Sequence, residues 1–306
     1  MQTGTPPDVQ QIVEKNRKLW HLAGTDREAF TQLLDEWIDD INKRLTLLRG
    51  DTSKPPLISV AIPVHDEEEH ILTTLEGLSR QEQTESMEVL IIANNCSPDD
   101  MTSEIARRCG ARVIEYQYHS KKEKPISVAR QQGLIFSEGI YCVSTDGDTI
   151  ARPLWIHKLI EPLKDDSHGF TTSHSRLYEH ELEKKVREND RQRYFTREAF
   201  EWTGFIALGN NMAYRKRDGE ELGGFNLHVY PAEDTEFGVR LTMFLQKKPL
   251  LIKDEDAAIW LSPRRVKAQG AESILWDWFS LYKDSTGNAI NVRESYKKLV
   301  EQHISE

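Results

Sequence analysis

Apolar positions recur along this chain in two periods, and the two alternate. Phe30, Leu33, Leu34, Trp37, Ile38, Ile41, Leu45 and Leu48 fall at three- and four-residue spacing. That spacing predicts an amphipathic helix, ended by Gly50. Thr25-Asp26-Arg27-Glu28 ahead of it reads as a capping box, and Gln11 to His21 as a shorter preceding helix. Asp51-Thr52-Ser53-Lys54-Pro55-Pro56 cannot continue a helix and marks a boundary. The stripe is expected to pack on the body of the protein; a dimer contact or a lid are the alternatives.

Beyond the prolines the pattern changes. Leu57 to Val64 is a continuous apolar run, as a strand buried on both faces requires. Helical spacing follows over Glu67 to Arg80, then strands and helices alternate. Met87 to Ala93, Arg112 to Tyr116 and Ile140 to Thr145 read as strands. Thr102 to Cys109 and Pro125 to Phe136 read as helices, the latter with proline in its first turn. The alternation predicts an α/β fold with a mostly parallel sheet and right-handed crossovers. Its strand ends gather Pro63 to Glu68, Asn94 to Asp100 and Asp146 to Asp148 on one rim, where open parallel sheets bind ligands.

In the second half, Pro153 to Leu163 reads as a helix and Leu177 to Phe200 as a long, charged one. Gly209 to Tyr214 reads as a strand re-entering the sheet, followed by a short helix and Gly223-Gly224. Tyr230 to Leu241 carries a helix-start signal. Strands are expected near Leu250 to Ile252 and Ala257 to Leu261, and two helices over Glu272 to Tyr282 and Ile290 to Val300. The division expected is 1–55 as a helical extension, 56–265 as the main domain and 266–306 as C-terminal helices. The main domain splits into a nucleotide-binding half, 56–150, and an acceptor half, 151–265.

Composition narrows the function classes. The 306 residues carry a net charge of -10, with lysine and arginine scattered, which disfavours a nucleic-acid surface. Cys96, Cys109 and Cys142 make an odd set without paired metal spacing, and no charged and apolar leader is evident. A reducing, cytoplasmic setting is the expectation. No apolar run reaches the roughly 18 residues of a membrane span.

The chemistry collects on the rim. Asp146 and Asp148, one residue apart on an extended chain, face the same way and offer oxygen ligands to a hard divalent cation shared with phosphates. Taken alone, the same residues read as a solvated Asp-Gly turn. Asn95 carries the donors and acceptors that read a base edge, though Asn94 to Asp99 is also a good turn sequence. Lys121, Lys122, Lys124 and Arg130 stand near a helix start and are candidates to face phosphate, Arg130 the best of them. No glycine cradle follows the first strand, so phosphate must be held by metal and side chains. Glu233 and Asp234 sit where a helix dipole stabilises carboxylates, so N-terminal capping is the plain alternative to a chemical role.

These residues, in this order, resemble family 2 glycosyltransferases of the GT-A fold, bacterial type. The elements are Ile62-Pro63-Val64-His65-Asp66-Glu67-Glu68, Asn94-Asn95-Cys96-Ser97, Ala129-Arg130-Gln131-Gln132-Gly133, Asp146-Gly147-Asp148, Gly223-Gly224-Phe225 and Glu233-Asp234. No single motif is specific; their succession is. The resemblance covers about Pro56 to Arg265. It implies a donor such as a UDP- or GDP-sugar, a saccharide or other hydroxyl acceptor, and Mn2+ or Mg2+ as cofactor. It implies that Pro63, His65 and Glu67 line the base and ribose and that Asn95 meets the base. Asp146 would touch ribose or metal, and Asp148 would hold the metal. Asp234 is the implied general base of an inverting transfer, with Glu233 binding the acceptor. Ser262-Pro263-Arg264-Arg265 resembles a family segment whose guanidiniums clamp the diphosphate. Asn95 for the family's Asp and His65 for its Tyr leave the base open. Trp202 to Phe205 is a candidate platform for a sugar face. A haloacid-dehalogenase phosphatase, a sugar nucleotidyltransferase and a binding protein without turnover are the rivals. A homodimer is a further expectation.

Overall fold

The computed structural model describes residues 5–82, 85–118, 125–182, 184, 209–228 and 233–270. Lys121, Lys122, Lys124, Trp202 to Phe205, most of the charged helix expected to end at Phe200 and the two C-terminal helices lie outside the described residues.

Seven strands form the main sheet: β1 (Ile58–Val64), β2 (Met87–Asn94), β3 (Arg112–Tyr116), β4 (Tyr141–Ser144), β6 (His168–Ser173), β8 (Met212–Arg215) and β9 (Lys248–Ile252). Their order is β3-β2-β1-β4-β8-β6-β9. β1, β2, β3 and β4 run parallel, β8 pairs antiparallel with both β4 and β6, and β6 is parallel to β9. The architecture is thus α/β, as the alternation predicts. A smaller sheet, β5 (Thr149–Ala151), β10 (Ile259–Leu261) and β7 (Ser175–Leu177), sits beyond the carboxyl end of β4. Leu177, expected to open a helix, instead ends β7 opposite Leu261.

Helices α3 (Ile71–Ser79), α4 (Thr102–Arg108) and α5 (Pro125–Phe136) follow the first three strands. In the second half come α6 (Trp155–Ile160), α7 (Lys216–Glu221), α8 (Glu233–Met243) and α9 (Arg264–Gln269). All of β1 except Ala61 is buried, and all of β2, so both faces of the sheet are covered.

The N-terminal helices α1 (Pro7–Thr25) and α2 (Arg27–Arg49) are longer and differently capped than expected. Thr25 closes α1, its hydroxyl bonded to the His21 carbonyl at 2.9 Å. Asp26 is the cap of α2, its carboxylate accepting the Ala29 N–H at 3.1 Å. The stripe of α2 is buried against α3, α4 and β2; Trp37, Ile38 and Ile41 belong to the same core as β1. Each such side chain contributes about 2 kcal/mol by leaving water. The Trp37 indole N–H donates to Glu76 of α3 at 3.0 Å, and Arg44 and Arg80 close on the same buried carboxylate. Among the described residues no helix is long and apolar enough to cross a membrane.

Candidate active site

The chain leaves β1 through His65 and Asp66, and Asp66 turns it in the left-handed region, φ 53°. Both Asp66 oxygens take up Ser97, from its N–H and its hydroxyl, each at 2.7 Å. Those bonds hold the Asp66 carboxyl below its ordinary range and pin the β1 exit to the β2 exit. His65 is exposed, its Nδ1 3.0 Å from the Asn94 carbonyl, and Pro63 is buried within β1. Asn95 also has positive φ, 54°. Its amide oxygen accepts the Tyr118 N–H at 2.5 Å and its amide nitrogen donates to the Tyr118 carbonyl at 3.1 Å. The polar edge expected to meet a base is therefore engaged by the main chain after β3.

The Asp146-Gly147-Asp148 turn follows β4 directly. Gly147 packs on Glu67: a Cβ there would lie 3.0 Å from the Glu67 Cγ. Glu67, Asp146 and Asp148 thus form one group of carboxylates. Burial raises Glu67 to about 7, with Asp148 and Asp146 adding to the rise. Burial likewise raises Asp148 to about 6. Glu67 Oε2 is buried with no hydrogen-bond partner among the described residues; the His70 ring nitrogen 3.6 Å away is no counter-charge, since burial, with Arg264 beside it, lowers that imidazole to about 4. The oxygen donors of this turn suit Mn2+ or Mg2+, although Asp146 is 36% exposed and, among the described residues, the three candidate ligand atoms that lie within 4.8 Å of one another are those of Asp66, Cys96 and Asp100. Glu67, expected to line base or ribose, lies instead under this turn.

Each acid of the turn has its own guanidinium. Arg264, the first residue of α9, sends Nε to Asp148 at 3.0 Å and Nη2 to Glu67. The β5–β10 ladder sets this approach: Leu261 pairs with Thr149, and the Ser262 N–H bonds the Asp148 carbonyl at 3.1 Å. Arg130 serves Asp146 from the other side, Nη2 to Oδ1 at 3.1 Å. Its Nε meets Glu233 at 3.0 Å, and its Nη1 meets the Ser144 hydroxyl and the Gly209 carbonyl, both at 2.8 Å. Arg130 therefore does not face phosphate: its side chain is 6% exposed and committed to protein partners.

Gly209 completes the arrangement. Met212 pairs with Ser144, so the chain entering β8 runs back over the β4 exit and lays Gly209 beside Arg130. The Gly209 N–H donates to Asp234 Oδ2 at 2.5 Å, and the Thr235 N–H to Oδ1 at 2.6 Å. A Cβ at Gly209 would come within 2.5 Å of the Arg130 Cζ and 2.8 Å of the Asp234 oxygen. Burial, reinforced by Glu233, raises Asp234 to about 6. Asp234 remains half-buried, whereas Glu233 is buried behind Arg130. Of the pair, Asp234 can meet a substrate; the expected contact of Glu233 with an acceptor does not fit its position, and it supports Arg130 instead. Glu236 is structural too, since Arg240 grips it at 2.6 Å and reaches the Gly224 carbonyl at 2.7 Å. Gly209, Ser144 and Thr235 carry no periodic signal, and only the register of β8 on β4 brings Gly209 to the site.

Three comparisons relate the chain to known proteins. Residues 59–223 match the model described as glycosyl transferase family 2. A stretch of 108 residues is 31% identical to the glycosyltransferase AglE of Haloferax volcanii; it spans 35% of this chain and 35% of that relative. The mannosyltransferase PcManGT from Pyrobaculum calidifontis, solved with GDP-Man and Mn2+, superposes with a TM-score of 0.53. That match covers 88% of this chain and 79% of that one at 18% identity. Glucosyl-3-phosphoglycerate synthase from Mycobacterium tuberculosis, solved with Mn2+, UDP and phosphoglyceric acid, gives 0.52. It covers 77% of this chain and 81% of that one at 17% identity. At such identities the structures share a fold, and that fold is GT-A. The family match spans more than half of the sequence: the chain belongs to glycosyl transferase family 2.

Proposed function

We propose that this chain transfers a sugar from a nucleotide-diphosphate sugar to an acceptor hydroxyl, with inversion at the anomeric carbon. One observation carries the reading. A single guanidinium, Arg130, bonds both Asp146 of the metal turn and Glu233 beside Asp234, and its Gly209 partner bonds Asp234 itself. The donor-side acids and the proposed base thus share one hydrogen-bonded network, which supports their acting on one sugar ring.

Asp148 and Asp146, with Glu67 behind them, would hold Mn2+ or Mg2+. The ion, when bound, stabilises charge on the departing nucleoside diphosphate. Asp234 accepts the acceptor hydroxyl's proton as that oxygen attacks the anomeric carbon and the bond to the diphosphate oxygen breaks. A carboxyl at about 6 is ionised at neutral pH and still basic enough to share a proton. The Gly209 and Thr235 N–H groups fix its orientation. His65 and Asn95 border the nucleotide, and Asn95 orders the loop through Tyr118 rather than reading the base by its free amide. The relatives solved with GDP-Man or UDP and Mn2+ support a guanine or uracil nucleotide and that ion. The acceptor is a saccharide or another hydroxyl compound, met in the cytoplasm.

The test is release of nucleoside diphosphate from a panel of UDP- and GDP-sugars with Mn2+, and the anomeric configuration of the product by NMR. Turnover that chelation abolishes and that Asp148→Ala and Asp234→Asn each remove is expected. Turnover unchanged in both variants overturns the assignment, and a retained anomeric configuration overturns inversion.

A further inference from the structure

Asp148 and Asp234 are carried by different parts of the fold, and a buried carboxamide ties those parts together. Asp148 is bound to the small sheet: Thr149 pairs with Leu261, and the Ser262 N–H bonds the Asp148 carbonyl at 3.1 Å. Asp234 is held by the Gly209 N–H, in the turn that leads into β8. Asn211, fully buried, stands between Gly209 and that strand. The Trp155 indole of α6 donates to its Oδ1 at 2.9 Å. Its Nδ2 donates to the Ser173 hydroxyl at 2.8 Å and to the His174 carbonyl at 3.2 Å. An indole N–H can only donate and a carbonyl can only accept, so these partners fix which way round the amide sits. The links run on into the small sheet. Ser173 passes its own hydrogen to the Ala257 carbonyl, and the His174 carbonyl also accepts the Ile259 N–H of β10 at 3.0 Å. The Asn211 carbonyl takes the Thr172 hydroxyl at 2.7 Å. A buried polar network satisfied in this way holds one geometry rather than several.

We propose that Asn211 is a positioning residue of the transfer: it fixes the turn before β8 against the small sheet, and so the point at which Gly209 offers its N–H to Asp234. This rests on the transferase reading above and adds a second strut to it. Arg130 joins Asp146 to Glu233 directly. Asn211 joins the main chains behind them, β6 and β10 on one side and the Gly209 turn on the other. Filling the core does not call for such a residue, since an apolar side chain needs no polar partners. An apolar side chain, however, has no directed bonds with which to hold a turn in place. Without the carboxamide the turn stays over β4, because the Gly209 carbonyl still meets Ser144 and Arg130. The Gly209 N–H then loses its fixed place against the Asp234 oxygen, a contact of 2.5 Å. A misplacement of about 1 Å in such an arrangement costs about 10²-fold in rate.

The experiment combines transfer kinetics with amide hydrogen exchange by NMR on the full chain. Asn211→Ala is expected to lower kcat about 10- to 10²-fold at matched folded concentration, with KM for the sugar nucleotide within about threefold of wild type. In an Asp234→Asn background the same change should lower kcat by less than about threefold, because the group it positions is already disabled. The Gly209 amide should exchange at least about tenfold faster in Asn211→Ala, while Ala213, inside β8, keeps its rate. Thr171→Val is the control: it loses a buried hydroxyl bond to the Leu159 carbonyl on the neighbouring strand. It should lower the melting temperature and leave kcat per folded molecule unchanged. Should Asn211→Ala not fold, Ser173→Ala carries the test, since it cuts the path to Ala257 and leaves Trp155 its acceptor. It should lower kcat at least about threefold and speed Gly209 exchange. An unchanged kcat or an unchanged Gly209 exchange rate in the folded variant overturns the proposal, as does an equal fall in kcat in both Asp234 backgrounds. Absence of transfer by wild type overturns the transferase reading instead, and the exchange rates then decide alone whether Asn211 places Gly209.

Discussion

Arg130→Met removes the guanidinium that joins Asp146 to Glu233 while keeping most of the side-chain volume. Its cost can be worked partner by partner. Asp146 is 36% exposed and rehydrates, so that pair counts as a surface bridge, about 0–1 kcal/mol. The Gly209 carbonyl keeps the Ser144 hydroxyl, 2.7 Å away, and is not orphaned. Glu233, at 7% exposure, has no such recourse. Leaving one charge of a buried pair uncompensated costs about 3–5 kcal/mol. A loss of about 3–5 kcal/mol is therefore expected, carried almost wholly by Glu233. The assay is urea unfolding followed by tryptophan fluorescence, in a cycle with Glu233→Met. If the cost is a stranded charge, Arg130→Met/Glu233→Met should recover to within about 1 kcal/mol of wild type, because apolar replacement of a buried pair is close to neutral. Arg130→Met within about 1 kcal/mol of wild type would refute the reasoning, as would a double variant as unstable as the sum of the singles.

Other consequences can be measured separately. Asp234→Asn should lower kcat about 10²- to 10⁴-fold while nucleotide binding is kept, read by transfer assay and calorimetry. Asp234 must be ionised to take a proton, and burial sets its carboxyl at about 6. Wild-type kcat/KM should thus fall as pH drops through about 6 and level off above it, and a profile without that limb contradicts Asp234 as base. Gly209→Ala puts a methyl against Arg130 and Asp234 and should cut activity about 10²-fold, in keeping with the cost of a 1 Å misplacement, read from kcat at matched folded concentration. Glu76→Ala leaves the Trp37 N–H without its acceptor and should cost about 1–3 kcal/mol in urea with activity per folded molecule unchanged; lost activity would tie α1 and α2 to catalysis.

The first half of the fold was legible because a parallel sheet covered on both faces writes continuous apolar runs, and β1, β2 and β4 are such runs. The second half was less so. β6, His168–Ser173, ends in Thr171, Thr172 and Ser173, which look like a solvated loop. They are buried because their hydroxyls are satisfied: Thr171 bonds the Leu159 carbonyl and Thr172 the Asn211 carbonyl, each at 2.7 Å. β5 and β7, three residues each, are too short for a period. In the proposed site, Asp146 and Asp148 stood out as two carboxylates closing a strand and Glu233-Asp234 as a helix start, whereas the base role of Asp234 came from the family resemblance alone. The partners of Arg130 were not. An arginine among apolar helix positions suggests a charge with a use, but Gly209 and Glu233 lie 79 and 103 residues away. Only tertiary convergence shows that the use is a strut between acids. Asn95 shows the same limit: its amide donates one N–H to the Tyr118 carbonyl and accepts the Tyr118 N–H, contacts that no local pattern announces.

The most direct test is a crystal structure of the chain with Mn2+ and a nucleoside diphosphate. The account predicts the ion on Asp148, the diphosphate beside it, and the Asp234 carboxylate facing the terminal phosphate across a gap that one sugar ring fills. An ion elsewhere, or an Asp234 turned away from the phosphate, would contradict it.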